Sequence, residues 1–181
     1  PQRVLAVSEP VVDDLIFLGV QDKIIGISAC YSKNFAPYET EYAKFARLTY
    51  GSGYPSKEAV LALQPDLIVS WGSLFGESAL GSVEYWHNKG IHTYVMTNTV
   101  PTRATGRRKV EYIVNDLQQL AKIFRVEEKA QKKIAYLQSR IAKLRMHSES
   151  IAEAKKPKVL TLQHLYGNEY FGTSGGEDAA V

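Results

Sequence analysis

Short apolar runs alternate with helically spaced apolar positions along the first two thirds of the chain. Val4-Leu-Ala-Val7 is four aliphatic residues in a row, the pattern of a strand buried on both faces of a parallel sheet. Ser8 or Glu9 with Pro10 then starts a helix over Val11 to Leu18, and Gly19 ends it. Strand, turn and helix in that order make the first half of a βαβ unit. Ile24-Ile-Gly-Ile27 is the second strand, followed by a long loop from Ser28 to Tyr38 that carries Tyr31, Phe35 and Tyr38 with little charge. Loops of that length are frequently functional. Glu39 to Leu48 reads as a short helix and Tyr50 to Pro55 as a turn.

The stretch Ser56 to Ser73 organises the rest. Ser56 caps a helix, Glu58 sits in its first turn where the macrodipole favours a carboxylate, Val60, Leu61 and Leu63 give it an apolar face, and Pro65 stops it. Leu67-Ile-Val69 is the third buried strand, and Trp71-Gly72-Ser73 lies at its carboxyl end. Open α/β sheets bind ligands at that end, so Trp71 is either a binding surface or an ordinary packing residue. Glu77 to Lys89 reads as a helix with Leu80, Val83 and Trp86 on one side, closed by Gly90; Thr93 to Thr97 is the fourth strand. The following loop, Asn98 to Gly106, contains Arg103, and Arg107, Arg108 and Lys109 open the next helix. Cations there oppose the macrodipole, which suits either solvated surface charge or an anionic ligand.

From Val110 to Phe124 the positions Val110, Ile113, Val114, Leu117, Leu120, Ala121 and Phe124 fall at helical spacing and predict a packing helix. From Val126 onward Ala130, Ile134, Leu137, Ile141 and Leu144 repeat at spacings of four and three, with charged residues on the other faces. The pattern fits a single long helix lying against a domain, and it is too short for a coiled coil to be assigned. Ala154-Lys-Lys-Pro157 breaks it. Lys158-Val-Leu-Thr-Leu162 predicts another buried strand, and Tyr166 to Phe171 a hairpin about Gly167-Asn168.

Composition narrows the class. The chain has 181 residues, 45% of them apolar, enough for one good core or one and a half domains. It contains no apolar run long enough to span a membrane, and Pro1 to Arg3 lead straight into a strand, so any export signal is expected to be already removed or never present. A net charge of +3 is too weak a bias for nucleic-acid binding. The single cysteine, Cys30, can form no internal disulfide and reads as a small buried hydrophobe.

Catalytic constellations are missing. Gly172-Thr-Ser-Gly175 has the wrong spacing for a nucleophile elbow, and Gly51-x-Gly53 lacks both the third glycine and the preceding strand of a dinucleotide fingerprint. His87, His92, His147 and His164 are dispersed; for His87 the positions at i±4 are Val83 and Ile91, so it reads as a solvated helix residue and no metal site is assigned. Asp13 and Asp14 are helix neighbours, which do not face each other. These absences disfavour an enzyme, and no catalytic residue is assigned.

The ordered series from Pro1-Gln-Arg-Val-Leu-Ala-Val-Ser8, through Ile25-Gly-Ile27 with Tyr31-Ser32, to Leu63-Gln-Pro-Asp-Leu67 and Trp71 resembles the solute-binding proteins of bacterial ABC importers for iron-siderophores, haem and cobalamin, the class III periplasmic binding proteins. The resemblance implies an α/β fold in which a parallel-sheet Rossmann-like lobe is joined by one long rigid helix to a second α/β lobe. Here residues 1–124 would be the first lobe, 125–156 the bridging helix and 157–181 the start of a truncated second lobe. It implies a ligand held between lobes by Ser8, Glu9, Tyr31, Ser32, Trp71, Gly72, Ser73, Arg103 and Tyr166, the aromatics packing on a macrocycle or catecholate and the arginine offsetting a chelate's negative charge. His164 and Tyr170 are further candidates from the second lobe. It assigns Glu58 and Glu177 to docking on arginine pockets of a membrane permease. The cargo implied is a metal chelate, a ferric siderophore first and haem or cobalamin next, with no other cofactor. The implied location is the periplasm or the outer face of the cytoplasmic membrane, with membrane contact only indirect or through a lipid anchor. A divalent-metal receptor of the same fold and a chelatase-like tetrapyrrole enzyme are the alternatives; the first would need three or four convergent ligands and the second a facing histidine and glutamate.

Overall fold

A computed structural model describes residues 1–30, 37–49, 53–99, 109–152, 155–157, 164–166 and 170–172. Four strands, β1 (Val4–Val7), β2 (Ile24–Ser28), β3 (Leu67–Trp71) and β4 (His92–Met96), form one parallel sheet in the order β2-β1-β3-β4. The α/β class expected from the apolar runs is what forms. Parallel strands need crossover connections, and α1 (Glu9–Leu18), α2 (Glu39–Tyr42), α3 (Lys57–Leu63) and α4 (Val83–Asn88) lie in them; α5 (Glu111–Phe124) and α6 (Glu127–Ser150) follow the last strand.

Because side chains alternate along a strand, β1 divides its residues between two cores. Val4 and Ala6 join Val11, Leu15, Val114, Leu117 and Leu120 under α1 and α5, a cluster that Ala130 and Ile134 of α6 complete. Leu5 and Val7 join Ile68, Val60, Leu80 and Trp86 under α3 and α4. Helices thus cover both sheet faces, which is why the central strands β1 and β3 are largely apolar, whereas the edge strand β4 begins with exposed His92 and half-buried Thr93.

Three expected elements are shorter than the apolar pattern suggested. The helix read from Glu77 begins only at Val83: Gly81 stands at φ +88°, where a Cβ would lie 2.6 Å from Lys57 Cε, and Ser82 caps the new helix by accepting from Tyr85 N–H at 3.1 Å. Leu80 is nevertheless buried, and its carbonyl accepts the indole N–H of fully buried Trp86 at 3.0 Å. The helix read over Glu39 to Leu48 ends at Tyr42. Beyond it the chain runs beside β2, with Ile27 N–H donating to Ala46 O (2.9 Å) and Leu48 N–H to Ile27 O (3.0 Å). The open edge of β2 offers those backbone groups, and pairing them outweighs helix propensity. The packing helix starts at Glu111, one residue after the expected Val110.

The long helix is continuous over 24 residues, about 36 Å at 1.5 Å per residue. It folds back on α5 through Arg125, whose φ is 57°, and Glu111 at the start of α5 pairs with Arg145 near the far end of α6. Lys133 Nζ donates to Phe17 O (2.6 Å) and Lys129 Nζ to Gly19 O (3.3 Å), placing two cations on the carbonyl end of α1, where the macrodipole is negative. β5 (His164–Tyr166) and β6 (Tyr170–Gly172) form an antiparallel pair with Tyr166 opposite Tyr170, in line with the expected hairpin. The strand expected over 158–162 lies outside the described residues.

Candidate functional site

With all four strands parallel, their carboxyl ends, Val7, Ser28, Trp71 and Met96, lie along one edge of the sheet. The chain leaves β1 and β2 there through two non-glycine residues at positive φ, Ser8 (97°) and Ala29 (52°), tied by Ser8 N–H donating to Ser28 O at 3.0 Å. Such conformations cost about 1–3 kcal/mol each, and proteins tend to keep them at sites of function. Ser8 is only 2% exposed, so its hydroxyl lies beneath the edge rather than on it. Glu9 is half-buried in the first turn of α1, and its carbonyl accepts the Tyr42 hydroxyl at 3.0 Å.

Trp71 ends β3 half-buried, packed against both core clusters with part of its surface left to solvent. Packing and an exposed face therefore coexist in one side chain. Gly72 and exposed Ser73 follow in the 3-10 turn Gly72–Leu74. This turn is fastened to the one after β4: Gly72 N–H donates to Thr99 Oγ1 at 2.8 Å, while the Thr99 hydroxyl donates to Met96 O at 2.7 Å. A Cβ on residue 72 would lie 3.3 Å from Thr99 O and from Val95 Cγ1, which is why the approach suits glycine.

Glu58 lies at the same edge by topology. Arg3, at the opposite end of β1, donates through Nε to Gln64 O (2.9 Å) and through a terminal guanidinium nitrogen to Leu63 O (2.7 Å), pinning the carboxyl end of α3 there. The 7-residue helix, about 10 Å long, therefore begins at the strand-tip edge. Ser56 caps it, accepting from Ala59 N–H at 3.2 Å. Glu58 is exposed; hydrogen bonds from its own backbone N–H and from the Ser56 hydroxyl hold its carboxyl below the usual range, so it is an anion at neutral pH.

The remaining sequence candidates divide. Tyr31, Ser32, Arg103 and Glu177 lie outside the described residues. Tyr166 and Tyr170 are placed by backbone pairing in the β5–β6 ladder, and His164 pairs with Gly172. Cys30 is 5% exposed, and burial with the nearby Glu9 charge pushes its thiol up to about 11, an inert small side chain as expected. His87 is exposed on α4, its Nε2 3.0 Å from the Thr93 hydroxyl. Among the described residues no group of three or more His, Cys, Asp or Glu side chains could hold a metal ion, and no helix is long and apolar enough to cross a membrane.

A group of acids and tyrosines behind the edge was not anticipated. Asp116 of α5 is fully buried and accepts from the Tyr94 hydroxyl (2.8 Å) and from Thr97 N–H (2.9 Å), the first residue after β4. On α1, Asp13 accepts from the Tyr42 hydroxyl at 2.9 Å, and Asp14 faces the Asp116 charge. Burial first, then the charges of Asp116 and Asp13, pushes the Asp14 carboxyl up to about 7. Burial and Glu9 likewise raise Asp13, and burial beside these acids raises the Tyr42 and Tyr94 phenols well above their ordinary range. The signal was legible: Asp14 is three residues after Val11 and four before Leu18, Asp116 three after Ile113 and four before Leu120, so each is an acid on an apolar helix face.

The sequence matches the family model described as periplasmic binding protein over residues 4–180. Among solved structures, a periplasmic binding protein from Veillonella parvula DSM 2008 superposes with a TM-score of 0.77 at 22% identity, over 98% of this chain and 54% of that one. A periplasmic vitamin B12 binding protein of Vibrio cholerae gives 0.61 at 18% identity, over 82% and 51%. An ABC-type Fe3+-hydroxamate transport system from Saccharomonospora viridis DSM 43017 gives 0.60 at 20% identity, over 78% and 49%. The chain thus spans about half the length of the solved structures it matches. No curated protein matches it significantly in sequence.

Proposed function

Since this chain belongs to the periplasmic binding protein family, we propose that it captures a metal chelate for an ABC importer and presents it to the permease. Residues 1–124 form the first lobe of this reading, 125–156 the bridging helix and 157–181 the start of the second lobe. The observation that carries it is the alignment of four strand tips on one edge with the partly solvent-facing Trp71, next to Gly72 and Ser73, at the end of β3. That is the place at which an open parallel sheet receives a ligand, and an indole offers the flat apolar surface a macrocycle or catecholate needs.

The cargo class is a ferric siderophore, with the tetrapyrroles haem and cobalamin as the other candidates; structures of the same fold include a vitamin B12 binding protein and an Fe3+-hydroxamate transport system. Arg103 and Tyr31 with Ser32 complete the ligand surface in this reading, and Tyr166 contributes from the second lobe. Glu58, exposed and ionised at the start of α3, docks on a permease arginine, with Glu177 as its counterpart. The protein acts outside the cytoplasmic membrane and is not catalytic.

Titration of the full-length protein with a ferric hydroxamate, haem and cyanocobalamin, followed by tryptophan fluorescence, tests the reading. One chelate is expected to quench Trp71, and a Trp71→Ala variant to lose both the signal and affinity. Silence toward every chelate, with binding of a bare divalent cation instead, would overturn it.

A further inference from the structure

We propose that Thr99 is a positioning residue for the ligand surface, acting through Gly72 on Trp71; this rests on the reading of Trp71 as a ligand contact. One hydroxyl joins the tips of β3 and β4: it accepts the Gly72 N–H at 2.8 Å and donates to Met96 O at 2.7 Å. Both of its hydrogen-bonding roles are used, so its orientation is fixed from two sides. Gly72 allows the close approach, since any side chain there would press on Thr99 O at 3.3 Å. Behind Thr99 the turn is held in turn by fully buried Asp116, which accepts Thr97 N–H at 2.9 Å, while Asn115 Nδ2 reaches the Thr97 hydroxyl at 3.4 Å. The residue next to Trp71 is therefore clamped to the turn that follows β4, and the indole meets a ligand already oriented.

The physical consequence is a population effect. Without the Thr99 acceptor, the Gly72 amide must find water, the Trp71-Gly72-Ser73 turn samples other conformers, and apparent affinity falls by the fraction of time the turn is competent. Thr99→Val keeps the shape and removes the acceptor; Thr99→Ser keeps the acceptor. Gly72→Ala keeps the hydroxyl and crowds the same contact from the other side.

In the full-length protein, whichever of ferric hydroxamate, haem or cyanocobalamin quenches Trp71 is titrated against these variants. Acrylamide quenching of Trp71 and hydrogen exchange of the Gly72 amide are read without ligand. Trp86 is fully buried, so acrylamide reports Trp71. Expected are at least about tenfold weaker binding in Thr99→Val and Gly72→Ala, at least about tenfold faster Gly72 exchange and greater acrylamide access in Thr99→Val, and near-wild-type behaviour of Thr99→Ser. Wild-type affinity and exchange in Thr99→Val overturn the proposal, as does equal loss in Thr99→Ser. If Trp71→Ala leaves every chelate's affinity unchanged while the ligand-free exchange follows the expected order, the clamp stands and the assignment of Trp71 to the ligand falls.

Discussion

Replacing Asp14 by Asn is expected to remove a large part of this protein's pH-dependent stability. The folded-state carboxyl is raised to about 7 by burial and by the Asp116 and Asp13 charges, whereas an unfolded chain's aspartate titrates at about 3.9. A raised carboxyl binds its proton more tightly in the folded state, so stability grows as pH falls through 7, is complete below about 4, and is lost as pH rises through 7. Between pH 8 and pH 5 the two values give a gain of about 2.5 kcal/mol, or roughly 5–10 °C in melting temperature for a chain of this size. Asp14→Asn keeps the volume and carries no charge, so its stability curve should be flatter than wild type by that amount, and it should be the more stable protein at pH 8. Urea unfolding at half-unit pH steps, with wild type and variant measured in parallel, isolates the difference because every other titrating group is shared. Parallel curves between pH 5 and 8 would refute the reasoning.

Other substitutions probe packing and docking. Trp86→Ala, which empties the largest fully buried side-chain site and orphans the Leu80 carbonyl, should cost about 3–5 kcal/mol in urea unfolding. Gly81→Ala should destabilise by about 1–2 kcal/mol in urea unfolding, since residue 81 stands at φ +88° with Lys57 Cε across it; a neutral result would refute the strain assigned to that backbone conformation. Lys133→Met keeps the apolar stem but removes the donor to Phe17 O, and should cost about 0.5–1.5 kcal/mol without altering ligand affinity. Glu58→Gln should leave chelate affinity unchanged and cut uptake in reconstituted importer vesicles several-fold; unchanged uptake would remove Glu58 from the docking surface.

Much of the architecture was set by local sequence. Short apolar runs of three or four residues at Val4, Ile24 and Leu67 have no polar face to offer water, so they had to be strands sandwiched between helices, and the 3.6-residue stripe of Val114, Leu117 and Leu120 specified one of those helices. Ser56 and Gly19 marked a start and a stop because capping is itself local chemistry. Tertiary structure decided what depends on partners distant in sequence. Leu48 paired with β2 instead of extending a helix because an open strand edge was available. The space beside Gly81 is taken by the stem of Lys57, a residue from another helix that local spacing does not reveal. At the site, Trp71 was legible as the end of a buried strand, but the hydroxyl of Thr99 that holds its neighbour, and the influence of the Asp116 charge on Asp14 from another helix, exist only once strand order brings separate tips and faces together. A pattern of apolar spacing specifies which face is buried; which polar atom it meets there is a property of the assembled sheet.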